Sequence, residues 1–213
     1  MSKEETQGFS LKGFTCAVIG VGGLGCNIAV HLAGAGATRL ILVDFDTVSE
    51  ANLNRQFLYT KDDIGEKKVF CAKNRLQALS PEINITALPV KIRKDCIPEE
   101  LKGADMIFLA VDNKGAREDI SLFCEENKIP LMTGGIDGFY GKAYLYIPDI
   151  TPTLKKAGML DGKRAKTNIS AAAGIIGSLQ AATGIQYLLT KDISLGGKLT
   201  VFDKDEFHTL MLK

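Results

Sequence analysis

The sequence predicts an α/β fold, a Rossmann-like and mostly parallel sheet with flanking helices and a C-terminal antiparallel extension. Three observations carry that prediction. Short apolar runs alternate with helical patterns from Phe14 to Thr133, the spacing of βαβ units. A glycine loop, GVGGLG at 20–25, joins the first of these strands to the first helix. After Gly134-Gly135 the alternation stops, and Tyr140 to Ile147 has the look of a hairpin strand.

The elements follow in order. A strand over 14–19 carries Cys16, Ala17, Val18 and Ile19, and a helix over 23–35 places Leu24, Ile28 and Leu32 at period four. In that helix Ala29, Ala33 and Gly34 leave room for close approach to the sheet. A second strand, 39–44, ends on Asp44 with Asp46 just beyond. A helix over 64–79 stops before Ser80-Pro81. Strands are expected at 84–92, 105–111 and 129–133, with a helix at 113–127. Residues 149–168 read as a polar, mobile connection containing Lys155, Lys156, Lys163, Arg164 and Lys166. A small-residue helix, including AAAGIIGSLQA, then runs from near Ile169 to Leu189, and strands at 198–203 and 207–212 close the chain.

The 213 residues are expected to form a single domain, 1–213, and 46% apolar content suffices for its core. A net charge of +1 with no long basic run argues against nucleic acid or a membrane surface as the main partner. No apolar stretch reaches the ~20 residues of a span, and the polar start MSKEETQG does not read as a signal peptide, so a cytoplasmic location is expected. The five cysteines (Cys16, Cys26, Cys71, Cys96, Cys124) include no CxxC pair. Two lie in helical patterns and one in a strand, and all read as reduced thiols. His31 and His208 are isolated and read as structural.

Gly20, Gly22 and Gly25 fit GxGxxG, with Gly23 between them. Such glycines allow a tight turn and close backbone approach to phosphate, and the helix that follows offers free amides to an anion. Asp44 stands where an acid would accept ribose hydroxyls. On these residues alone nicotinamide, flavin and methyl-donor binding all remain open.

The polar string NLNRQF, 52–57, changes the reading, because a dehydrogenase has no task for it there. Asn52, Arg55 and, further on, Lys68 place a guanidinium fork and a mobile ammonium near the same cleft, a pairing suited to polyphosphate. Asp112 closes the fourth strand at the carboxyl edge of the sheet. With ATP nearby it reads as a ligand of Mg²⁺, which takes one or two carboxylates plus phosphate oxygens.

GVGGLG, LVDFD, NLNRQF, Gly65-Glu66-Lys67-Lys68, Asp112-Asn113 with Arg117, and GIIGSLQA together resemble the ThiF/MoeB/HesA family, bacterial relatives of the ubiquitin-activating enzymes. The match runs from 16 to about 189 and is closest to the short ThiF-like subgroup. The resemblance implies a ThiF-type adenylation domain in which Gly20, Gly22, Gly23, Gly25, Asp44 and Asp46 bind nucleotide and Asp44 takes the ribose. Asn52, Arg55 and Lys68 would hold phosphates, Gln56 would orient the site, and Asp112 would bind the metal. Arg55, Lys68 and Asp112 form the implied catalytic set. The implied reaction is adenylation of the C-terminal glycine of a ubiquitin-like sulfur carrier ending in Gly-Gly, and the family habit is a homodimer. Other carboxylates remain open: a small molecule, a peptide, or the threonylcarbamoyl group of modified tRNA. So does a nicotinamide oxidoreductase.

Two departures from the family stand out. The paired CxxC motifs that hold a structural zinc in many relatives are missing, so no structural zinc is expected. The 149–168 connection has no cysteine, which speaks against a thioester or acyl-disulfide step there. No arginine precedes Arg39 to serve a neighbouring subunit; Lys3 and Lys12 are the cations available.

Overall fold

A computed structural model describes residues 9–160 and 169–212. An eight-stranded sheet runs in the order β3-β2-β1-β4-β5-β6-β7-β8. β1 (Thr15–Ile19), β2 (Arg39–Val43), β3 (Asn84–Leu88), β4 (Met106–Leu109) and β5 (Leu131–Asp137) are parallel. β6 (Tyr140–Tyr146), β7 (Lys198–Asp203) and β8 (Glu206–Met211) extend the sheet antiparallel from β5. The parallel strands are joined through helices α1 (Gly23–Gly34), α2 (Lys68–Leu79) and α3 (Lys114–Asn127), and α4 (Ser170–Thr190) lies between β6 and β7 in the chain.

Alternation along β1 sets the two layers. Cys16 and Val18 face one core with Ile28, Leu32, Phe108 and Ile176, under α1, α2 and α4. Ala17 and Ile19 face the other with Leu109, Ile120, Phe123 and Tyr144, under α3. Strands buried on both faces read as continuous apolar runs, which is why they were conspicuous in the sequence. No described helix is long and apolar enough to cross a membrane.

Three expected boundaries move by more than two residues, each for a local reason. β3 ends at Leu88 rather than 92, because Pro89 has no amide to donate and Val90 N–H turns back to the Leu88 carbonyl. α2 begins at Lys68, not near 64: Gly65 takes φ +94°, and the chain from there to Lys67 pairs with Thr47 and Val48. β5 continues through Gly134-Gly135 to Asp137, paired with β6 from Leu131↔Tyr146 to Asp137↔Tyr140. The glycines there are a packing requirement, since a Cβ on Gly134 would lie 2.5 Å from Gln180 Oε1. Of the connection expected over 149–168, the residues to Leu160 are described, and Leu154 and Met159 are fully buried. Lys163, Arg164 and Lys166, like Lys3, lie outside the described residues.

The small residues of α4 fit the crossing of α1. A Cβ on Gly177 would fall 2.7 Å from Asn27 Cβ and 2.9 Å from the Leu24 carbonyl oxygen, whereas Gly174 has open space. Gly177→Ala is expected to destabilise the fold by about 1–3 kcal/mol despite alanine's higher helix propensity. Gly174→Ala should be neutral or stabilising by up to ~1 kcal/mol. The melting temperature of Gly177→Ala should therefore fall while that of Gly174→Ala holds or rises.

Candidate active site

In this strand order β1 lies between β2 and β4, and the crevice beyond their carboxyl ends is where such sheets bind ligands. A cleft of about 620 Å³ opens there. Gly20, Gly22, Gly23, Asp44, Asp46, Asn52, Arg55, Gln56, Lys68 and Asp112 all line it, from five separate stretches of chain. Gly25 does not line it. A Cβ on Gly25 would fall 1.9 Å from the Gly20 carbonyl oxygen, so this glycine lets α1 lie against the loop behind the cleft wall.

The loop is held from both sides. The Asp44 carboxylate accepts from Val21 N–H at 2.7 Å and from Asp46 N–H at 2.9 Å. The Val21 carbonyl accepts the buried Tyr59 hydroxyl at 2.7 Å. Gly20 sits at φ +86°, its N–H donating to the Val43 carbonyl at 2.8 Å. Residues of NLNRQF lie over the glycines. Gln56 is 4% exposed, with its Oε1 unpartnered and its amide nitrogen beside Gly22. The Arg55 stem packs on Gly23 while its guanidinium donates to the Ala51 carbonyl and Asn54 Oδ1, both at 2.9 Å. Asn52 Oδ1 accepts from Ser49 N–H at 3.2 Å, closing the short turn that carries this string.

Lys68 is 5% exposed, and its ammonium meets Asp46 at 3.3 Å. It is the first residue of α2, where the helix dipole disfavours a cation, and neither an acid in the first turn nor a side-chain cap compensates. A buried lysine against the positive end of a helix is a stability cost, and free amides plus ammonium suit an incoming anion. Asp112 is exposed in the loop between β4 and α3, just before Asn113, which caps α3 with its Oδ1 accepting from Ala116 N–H at 3.0 Å.

Sequence reasoning did not place Lys91, Lys114, Arg117 and the Gly135–Ile136 wall at the cleft, which they also line. Lys91 stands over the Phe45 ring at 4.8 Å on the β3 side. Arg117 is 4% exposed. Its guanidinium donates to the carbonyls of Val111, Met159 and Gly134 and to Thr133 Oγ1. Burial draws its pKa down from the usual arginine value, and the Asp112 charge opposes that. With these included, basic side chains outnumber acidic ones around the cleft five to three among the described residues, a local excess that the chain's net charge of +1 conceals. Among the described residues no group of three His, Cys, Asp or Glu side chains is placed to hold a metal unaided. The cleft's acids, Asp112 among them, do fit a Mg²⁺ that takes most of its ligands from phosphate and water.

The cysteines stand apart from this chemistry. Cys26, Cys71 and Cys124 lie on α1, α2 and α3, one more helical thiol than the pattern indicates, and Cys16 is in β1. All four are buried, while Cys96 is exposed. Burial pushes the Cys16 and Cys26 thiols up to about 12 and raises those of Cys71 and Cys124. Ellman's reagent at pH 8 should therefore titrate Cys96 alone in the native protein and all five after denaturation. An unfolded thiol ionises near ~8.5, so between there and the raised native values the unfolded chain binds fewer protons. Stability should fall as pH rises through that window and be unaffected by these groups below it.

A parallel sheet whose glycine loop, strand-end acids and cationic rim meet in one crevice defines a nucleotide-binding enzyme. The ThiF family model matches residues 4–213, and the chain belongs to that family. Over 200 residues it is 32% identical to the molybdopterin-synthase adenylyltransferase of Salmonella typhimurium, covering 91% of this chain and 80% of that one. Over 204 residues it is 33% identical to the sulfur carrier protein ThiS adenylyltransferase of Escherichia coli, covering 92% and 81%. The chain is, like these relatives, an adenylyltransferase. Escherichia coli MccB crystallised with ATP has the same fold: TM-score 0.83 at 21% identity, covering 97% of this chain and 65% of MccB.

Proposed function

We propose that this adenylyltransferase acts on the C-terminal glycine carboxylate of a small ubiquitin-like sulfur-carrier protein ending in Gly-Gly, forming the acyl-adenylate and releasing pyrophosphate. The observation that carries the reading is the meeting of Arg55 and Lys68 with Asp44 around the glycine loop in one cleft. The relatives named for molybdopterin synthase and for ThiS support the choice of acid. The nicotinamide reading has no such support and leaves Asn52, Arg55 and Lys68 without a task.

In this reading the ribose lies at Asp44 and the phosphates between the glycine loop, Arg55 and Lys68, with Asn52 and Gln56 orienting them. A carboxylate oxygen forms a bond to the α-phosphorus as the bond to the bridging α–β oxygen breaks, and that electron pair leaves with pyrophosphate. The nucleophile is already ionised at neutral pH, so no general base is needed. The obstacle is repulsion: two unit charges ~4 Å apart cost roughly 4 kcal/mol at an effective dielectric near 20. Arg55 and Lys68 offset it and hold the charge that gathers on the leaving group. A bound Mg²⁺ would add neutralisation of the phosphates, with Asp112 as its protein ligand. We place the enzyme in the cytoplasm and, by family habit, as a homodimer.

ATP–pyrophosphate exchange tests the acid. Exchange should appear with a carrier ending in Gly-Gly and vanish when that carrier is truncated by two residues. Exchange driven equally well by a free amino acid or a short peptide would move the substrate to another class.

A further inference from the structure

Arg117 lies on the first turn of α3, and no step of the reaction described above uses it. Its donors reach three chain segments that are otherwise separate. Nε donates to the Val111 carbonyl at 2.8 Å, next to Asp112. Nη2 donates to the Gly134 carbonyl on β5. Nη1 donates to Thr133 Oγ1 at 3.1 Å and to the Met159 carbonyl at 3.0 Å. Met159 belongs to the stretch 151–160, which buries Leu154 and lies on the sheet beside the antiparallel extension. Besides the bonds between Thr151 and Ile147, two side-chain ties hold that stretch, Lys142 Nζ to the Gly158 carbonyl at 2.8 Å and the Tyr144 hydroxyl to the Pro152 carbonyl at 2.6 Å. Both come from β6, and neither side chain lines the cleft. Arg117 lines the cleft and holds the stretch at once. A planar fork of five donors can span three carbonyls in fixed directions, and an ammonium cannot.

We propose that Arg117 is a positioning residue that couples occupancy of the nucleotide cleft to the stretch 151–160, so that nucleotide settling against the Val111–Asp112 loop tightens the chain bordering the Gly135–Ile136 wall. This rests on the adenylation reading and adds to it a stretch of chain whose firmness follows the occupancy of the cleft.

Hydrogen–deuterium exchange on the full chain, with ATP and Mg²⁺ as the probe, tests it. In the wild type, bound nucleotide should slow amide exchange across 154–160 by roughly threefold or more. Arg117→Lys keeps the charge and loses the fork. It should bind ATP within about threefold of wild type by calorimetry yet show no slowing at 154–160. Thr133→Val, which removes one acceptor of the fork together with the long 3.5 Å bond from the Thr133 hydroxyl to the Leu109 carbonyl, should bind normally and show a reduced slowing; it decides the matter if Arg117→Lys does not fold. The proposal is overturned if wild-type exchange at 154–160 ignores bound ATP, or if the variants keep the full response. Loss of ATP binding in a folded Arg117→Lys also overturns it, by making Arg117 a nucleotide contact. A wild-type protein that does not bind ATP would instead remove the adenylation reading itself.

Discussion

Arg55→Ala and Lys68→Ala should each lower carrier-dependent ATP–pyrophosphate exchange by ~10²–10³, the scale of losing one preorganised donor in a water-poor site. The two losses should differ in character. The Arg55 stem packs on Gly23 and its fork is held by the Ala51 carbonyl and Asn54, so truncation removes a placed cation and uncovers the loop. Lys68 is 5% exposed and faces Asp46 at 3.3 Å. Its removal takes away a cation and leaves that carboxylate unopposed beside the phosphates, so the Lys68 variant should be the more impaired of the two. Lysine at the positive end of α2 also burdens the fold, so Lys68→Ala should keep or raise the melting temperature while activity collapses. Lys61→Ala, exposed and outside the cleft, serves as the control and should exchange at the wild-type rate. Wild-type exchange in both cleft variants would take these two residues out of the mechanism.

The parallel half of the fold was legible because its strands are buried on both faces and carry Val, Ile and Leu runs that no amphipathic helix would show. The ends were less legible. Gly134-Gly135 read as a break because a glycine pair usually punctuates, yet here the strand continues through both, Gly134 meeting Gln180 with no room for a side chain. Gly65 read as the inside of a helix, and its positive φ made it the boundary. At the site, residues that announce themselves by type and order were found: the glycines, Asp44, Arg55, Lys68 and Asp112 line or back one cleft. Lys91 and Lys114 were not, because a lone surface lysine carries no local signal; only the sheet order brings the ends of β3 and β4 to the same crevice. Arg117 was noticed only as part of the family resemblance, with the pair Asp112-Asn113, and was given no task. Its task depends on Met159, 42 residues away, a contact no periodicity encodes.

Gly25→Ala should be the most damaging added methyl among the described glycines. The added Cβ would stand 1.9 Å from the Gly20 carbonyl oxygen and 2.9 Å from its carbon, both backbone atoms. Gly20 cannot retreat toward β4, where a Cβ built on Gly20 itself would already lie 2.7 Å from the Ala110 carbonyl oxygen. Nor can it swing toward β2 without giving up its bond to the Val43 carbonyl. The strain must go into opening the loop, which also carries the Val21 amide away from Asp44. Overpacking of a rigid contact costs about 1–3 kcal/mol and more where only backbone can move, so a loss of at least ~3 kcal/mol is expected. Each kilocalorie lowers the melting temperature of a domain this size by roughly 2–4 °C, so the melt should fall by roughly 6 °C or more. ATP affinity should drop more than about tenfold in the same variant, since the amides that the proposed function assigns to phosphate move with the loop. Gly34→Ala at the far end of the same helix has open space and should melt at or above the wild-type temperature with ATP binding unchanged. If Gly25→Ala melts and binds like Gly34→Ala, the close crossing of loop and helix is not what holds the nucleotide cleft in shape.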